Sequence, residues 1–149
     1  MSKPGPMTKT EMLDVLSLAA AILEAGSCRY QMAAAHRNKR NAPENDCNEE
    51  PAVSEPEAVR FCLEGAVLRA AWELDLITEA ESDEYLSCQH GNLEPLAILL
   101  QAEVIAMVER SGRCGPFWRN DVNGWWDHHG DKRRAFNLLS RVAHTLESK

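Results

Sequence analysis

The sequence predicts a small all-α protein, a single-domain bundle of four to five helices with a long acidic loop. Three observations favour this fold class. Helix-forming residues dominate the composition, and long alternations of Val, Ile and Thr are absent. Capping boxes, in which Ser or Thr precedes Glu by three positions, recur along the chain. The 149 residues suffice for one domain of ordinary size.

The first helix has a recognisable start and end. We expect residues 1–7 to form a flexible tail and residues 8–147 to form the helical domain. Thr8 and Glu11 make the first capping box, and Gly26 is expected to end the helix as a left-handed residue. The apolar residues between them follow helical spacing and predict one buried stripe: Met12, Val15, Leu16, Ala19, Ile22 and Leu23. Beyond this helix, residues 27–40 are ambiguous: residues 31–36 are compatible with a short helix, and residues 28–30 with a tethering loop.

The middle of the chain combines an acidic loop with a second helix. Residues 41–53 read NAPENDCNEEPAV, without periodicity, and predict an exposed acidic loop. A capping box at Ser54 and Glu57 predicts a helix that continues to about Leu74. Its expected buried face comprises Val59, Cys62, Leu63, Ala66, Val67 and Ala70. Gly65 lies inside this helix and predicts the close approach of another helix.

A short third helix and a long fourth helix follow. Thr78 opens the third helix, which is expected to reach about Cys88. The fourth helix is predicted from about Leu93 to Arg110, and its apolar residues cover most of its circumference. A helix that is apolar on nearly all sides is usually buried, so we expect this helix to be the central one.

The last helix follows Asp131, and its buried stripe is predicted to comprise Ala135, Leu138, Leu139, Val142 and Leu146. Lys132, Arg133 and Arg134 crowd its first turn. This is the unfavourable end for cations because the helix dipole is positive there. Their position leaves open whether these charges serve a contact.

The charge distribution limits the kinds of macromolecule that the chain is expected to bind. The chain holds 23 acidic and 16 basic residues, a net charge of −7. Residues 41–111 hold 3 basic and 16 acidic residues, a net of −13. An acidic middle segment repels a nucleic-acid backbone and attracts a basic protein surface. We therefore expect a protein partner with a basic surface and no direct nucleic-acid binding; the oligomeric state stays open.

The chain is expected to be cytoplasmic. No signal peptide precedes the five cysteines, which are therefore expected to be reduced unless they bind metal. The longest apolar run, Leu96–Val108, is shorter than the ~20 residues that cross a bilayer.

Two alternatives rest on cysteine chemistry. Cys62 lies in the first turns of the second helix, where the dipole favours a thiolate, and His128 would be its base in a cysteine-dependent enzyme. The same position also suits a small core residue. Cofactors are not expected, although zinc is an alternative. Its ligands in a zinc-stabilised structural protein would be Cys88, His90, Cys114 and His128.

The aromatic segment near the last helix is the first choice for a partner-binding surface. Large rings flanked by Arg and His are typical of interface hot spots, although some of them would also serve as core plugs. The predicted contact residues are Trp118, Arg119, Trp125, Trp126, His128 and His129, with Glu49 and Glu50 of the acidic loop as a second patch.

Three short motifs together resemble a family of small uncharacterised proteins from bacteria and phages. Gly26-Ser27-Cys28 is similar to the turn that ends the family's first helix. The run Cys62 to Ala66 is similar to its Cys-x-x-Gly-Ala segment. The run Trp125 to Gly130 is similar to its Trp-Asn-Asp-x-x-Gly segment before the last helix, with Trp118-Arg119-Asn120-Asp121 as a competing match.

The resemblance implies a helical domain with a linker between its first two helices, and it implies no activity. Together with the residues above, it leads us to expect a small accessory or inhibitor protein that binds another protein. By analogy, the chain would be a phage product that acts on a host complex such as a defence system.

Overall fold

In the computed structural model the chain is mostly helical, which confirms the predicted fold class. The structure describes residues 5–27, 32–35, 51–111 and 132–148. The α-helices in these residues are α1 Lys9–Ala25, α2 Leu63–Glu73, α3 Glu79–Ser82, α4 Glu94–Ser111 and α5 Lys132–Glu147. Two short strands, β1 Ala33–Ala35 and β2 Ala58–Phe61, pair as an antiparallel ribbon. Single 3-10 turns occupy Leu86–Cys88 and Gly91–Leu93.

Helix α1 begins as its sequence predicts. The Thr8 hydroxyl accepts a bond from the Glu11 N–H, and the Glu11 carboxylate accepts one from the Thr8 N–H. The predicted apolar stripe is buried, except that Ile22 is half-buried. Gly26, the C-cap residue after α1, has φ −175°, so the prediction of a left-handed residue there is wrong. The glycine is needed for packing, because a Cβ atom would lie 2.5 Å from the Val59 carbonyl oxygen.

The N-terminal tail is shorter than predicted. Met7 is 5% exposed, and its N–H donates to the Asn92 carbonyl at 3.1 Å. The Asn92 side chain is itself buried and donates to the Leu76 carbonyl. The chain is therefore attached to the 3-10 turns one residue before the helix cap at Thr8.

A strand takes the place of the first turns predicted for the second helix. Residues 58–61 form β2, which pairs with β1 through Ala33–Phe61, Ala34–Arg60 and Ala35–Ala58. The predicted cap at Ser54 has no helix to begin, because α2 starts only at Leu63, and the Ser54 hydroxyl donates to the Glu79 carboxylate. Val59, predicted to be buried, is 41% exposed; it lies at a register shift of the ribbon, between the paired Ala58 and Arg60, and has no partner in β1. Within residues 27–40, which the sequence left ambiguous, the structure describes 27 and 32–35, and Ala33–Ala35 form the strand β1.

Arg69 holds the segment before β2 against α2. Its guanidinium donates to the Val53 and Glu55 carbonyls at 2.8 and 2.9 Å. It also lies 5.1 Å from the ring centre of Trp72 and 5.7 Å from that of Phe61. Val53 is 1% exposed, so the predicted loop 41–53 is not exposed at its C-terminal end. Residues 41–50 lie outside the described part.

Helix α2 is the central helix, where we expected α4. Eight of its residues are buried: Leu63, Glu64, Gly65, Ala66, Val67, Leu68, Ala70 and Ala71. Helix α4 buries only one face, through Leu96, Leu100 and Val104, while Ile98 on another face is 60% exposed. Helix α2 is the more buried of the two because it contacts α1, α3 and β2, whereas α4 packs on α5 and the 3-10 turns.

Gly65 permits the close approach of a strand segment and not of a helix. A Cβ atom at this position would overlap the Met32 carbonyl, which lies one residue before β1. The predicted close approach at Gly65 is therefore found, but the neighbour is the segment before β1 and not a helix. The α2 helix is thereby packed directly under the ribbon.

Helix α3 ends at Ser82, earlier than the predicted Cys88. The chain leaves the helix because Leu86 donates its N–H to the buried Glu64 carboxylate at 2.9 Å. The Gln89 amide then donates to the Glu81 and Glu84 carbonyls, which holds the turn closed.

Helix α5 is antiparallel to α1 and buries all five residues of its predicted stripe. Lys132 in its first turn donates to the Glu24 carbonyl at 3.3 Å. Glu24 belongs to the last turn of α1, where unsatisfied carbonyls and the negative end of the dipole favour a cation. Within the described residues, no helix combines the length and apolarity needed to cross a membrane.

Replacing Gly65 with Ala should destabilise the fold by about 1–3 kcal/mol, because the added methyl overlaps the Met32 carbonyl. Urea unfolding measures the change. Gly91→Ala is the control: it has open space around it, and its φ of +78° should cost about 1 kcal/mol. Wild-type stability of Gly65→Ala would contradict this packing.

Replacing Arg69 with Lys should cost about 1–2 kcal/mol and speed hydrogen exchange in residues 53–58. An ammonium cannot reproduce the planar fork that reaches two carbonyls while it stacks on aromatic rings. Arg141→Lys is the matched control, since Arg141 is 56% exposed and pairs with Glu103 at 3.9 Å. The control should change stability by less than about 0.5 kcal/mol. Equal effects of the two substitutions would show that Arg69 does not anchor the segment.

Candidate functional site

All eight residues of the predicted partner surface lie outside the described part of the chain. These are Trp118, Arg119, Trp125, Trp126, His128 and His129, together with Glu49 and Glu50 of the acidic loop. Cys114, an alternative zinc ligand, lies outside it as well. Their role in binding stays a prediction.

Cys62 occupies the N-cap position of α2. It is 1% exposed, and its sulfur accepts a hydrogen bond from the Gly65 N–H at 3.4 Å. Its own N–H donates to the Met32 carbonyl at 3.3 Å. An N-cap acceptor satisfies one of the donors that a helix start leaves open. These contacts account for the Cys-x-x-Gly spacing. The cysteine caps α2 by accepting from the glycine three residues later, and its own N–H bonds to the residue before β1.

The same contacts limit what the Cys62 thiol can do. A nucleophile must reach its substrate, and this sulfur is enclosed between the helix start and the strand ribbon. Its predicted base, His128, lies outside the described residues. The cysteine-dependent enzyme remains an untested alternative, and the described geometry supplies a structural role for Cys62.

Cys88 and His90 lie at the two 3-10 turns, and both are exposed. Over residues 5–27, 32–35, 51–111 and 132–148, no group of three or more His, Cys, Asp or Glu side chains could hold a metal ion. The other two ligands of the zinc hypothesis, Cys114 and His128, fall outside these ranges. The zinc site therefore stays a prediction.

An open groove between α1 and α5 is the surface feature that sequence reasoning missed. It encloses about 710 Å³. Leu16 and Leu139, each 3% exposed, form its floor. The half-buried and exposed residues of its walls and ends are Leu13, Ser17, Ala20, Ala21, Glu24, Phe136, Ser140, Ala143 and Glu147.

The two walls carry the same chemical pattern. Reading along α1, the lining positions hold Leu13, Leu16, Ser17, Ala20 and Glu24, with Ala21 as one more residue that has no counterpart in the α5 wall. Reading along α5 with the same spacing, they hold Phe136, Leu139, Ser140, Ala143 and Glu147. Because the helices are antiparallel, a local two-fold axis through the middle of the groove relates one wall to the other. This shared spacing was the sequence signal for the groove.

The groove is lined mainly by apolar and small residues, with a glutamate at each end and Lys132 beside one of them, Glu24. Ser17 and Ser140 are exposed at its middle, and Glu24 and Glu147 are exposed at opposite ends. Among the described lining residues none is Lys or Arg. Solvent-facing helix positions are usually charged, so the run of apolar and small residues between the two glutamates is the feature of this surface that suits a partner.

Helix α4 supplies a second exposed apolar surface. Ile98 is 60% exposed and Ile105 is 37% exposed. Together with the exposed Ala102 they follow the i, i+4, i+7 spacing of one helix face. This α4 stripe is narrower than the groove and is convex.

Comparison with protein-family models, curated proteins and solved structures finds no match.

Replacement of Cys62 with Ala should destabilise the protein by about 1 kcal/mol, whereas Cys62→Ser should retain most of the stability because a hydroxyl also accepts the Gly65 N–H bond. Thermal unfolding of the two variants measures this difference.

Iodoacetamide should label Cys88 faster than Cys62 in the native chain, since Cys88 is exposed and Cys62 is buried. Rapid labelling of Cys62 in the folded protein would instead favour the enzyme alternative.

Proposed function

We propose that this chain is an accessory or inhibitor protein that acts by binding another protein. The observation that carries the proposal is the open groove between α1 and α5. It has a volume of about 710 Å³ and is lined by residues of both helices. Two antiparallel helices with an apolar groove between them form a common docking surface for a partner helix. The α4 stripe around Ile98 and Ile105 is a second surface of the same kind.

The net charge of −7 supports a partner with a basic surface, because it steers such partners and repels nucleic acid. The Trp118–His129 segment and the loop with Glu49 and Glu50 would extend the contact. The resemblance to bacterial and phage proteins suggests that the partner belongs to a host complex, in the cytoplasm.

The test is retrieval of a stoichiometric partner from a bacterial lysate on the immobilised full chain, with groove variants in parallel. Ser140→Trp places a large ring in the groove, so it should abolish retrieval. Asn137→Trp is the matched control: Asn137 is exposed on the same helix, is not among the lining residues and should retain the partner. Mass spectrometry identifies what is retained.

Two further results of this test are informative. Loss of the partner with Ile98→Glu and not with Ser140→Trp would move the contact to the α4 stripe. Retrieval that survives both substitutions would refute binding through either surface, and no partner at all would refute the proposed function.

A further inference from the structure

We draw no further inference here: the strongest candidate, the exposed apolar stripe of Ile98, Ala102 and Ile105 on α4, carries none because nothing in the described part of the structure shows what covers it.

Discussion

The Met32 carbonyl determines where the central helix begins. It accepts the Cys62 N–H and lies directly above Gly65, so the chain must be extended up to Phe61 and helical from Leu63. The helix that starts there is buried along most of its length, and α1, α3 and β2 all contact it. A buried helix start needs partners for its open N–H groups, and the Cys62 sulfur is one of them.

The helices could be predicted from the sequence because periodicity reports directly on one buried face. The stripes of α1 and α5 and the caps at Thr8 and Thr78 depend on residues close in the chain. The errors involve partners far away in sequence. Ser54 has a suitable Glu three residues later, yet its hydroxyl donates to Glu79. Local pattern cannot show that the folded chain brings Glu79 to this hydroxyl or pairs residues 58–61 with β1, and the strand was missed for this reason.

The candidate site was less predictable than the fold. An apolar position on a helix predicts burial, but whether a neighbour covers it depends on how the helices are arranged. Ile98 was expected in the centre of the bundle and is exposed, because α2 takes the central place. The outer residues of the groove are small or only half-buried, so they give weak signals one at a time. Their shared spacing on α1 and α5 becomes informative only when the two helices are known to be antiparallel neighbours.

The groove is also held in its open form by contacts outside it. Helix α1 packs on α2, and α5 packs on α4, with Arg141 beside Glu103 at 3.9 Å. The Lys132 bond to the Glu24 carbonyl joins the two walls at one end. Because these contacts position both walls before any partner arrives, binding requires little ordering of the chain itself. In the proposed complex a partner would therefore lose mainly its own conformational freedom.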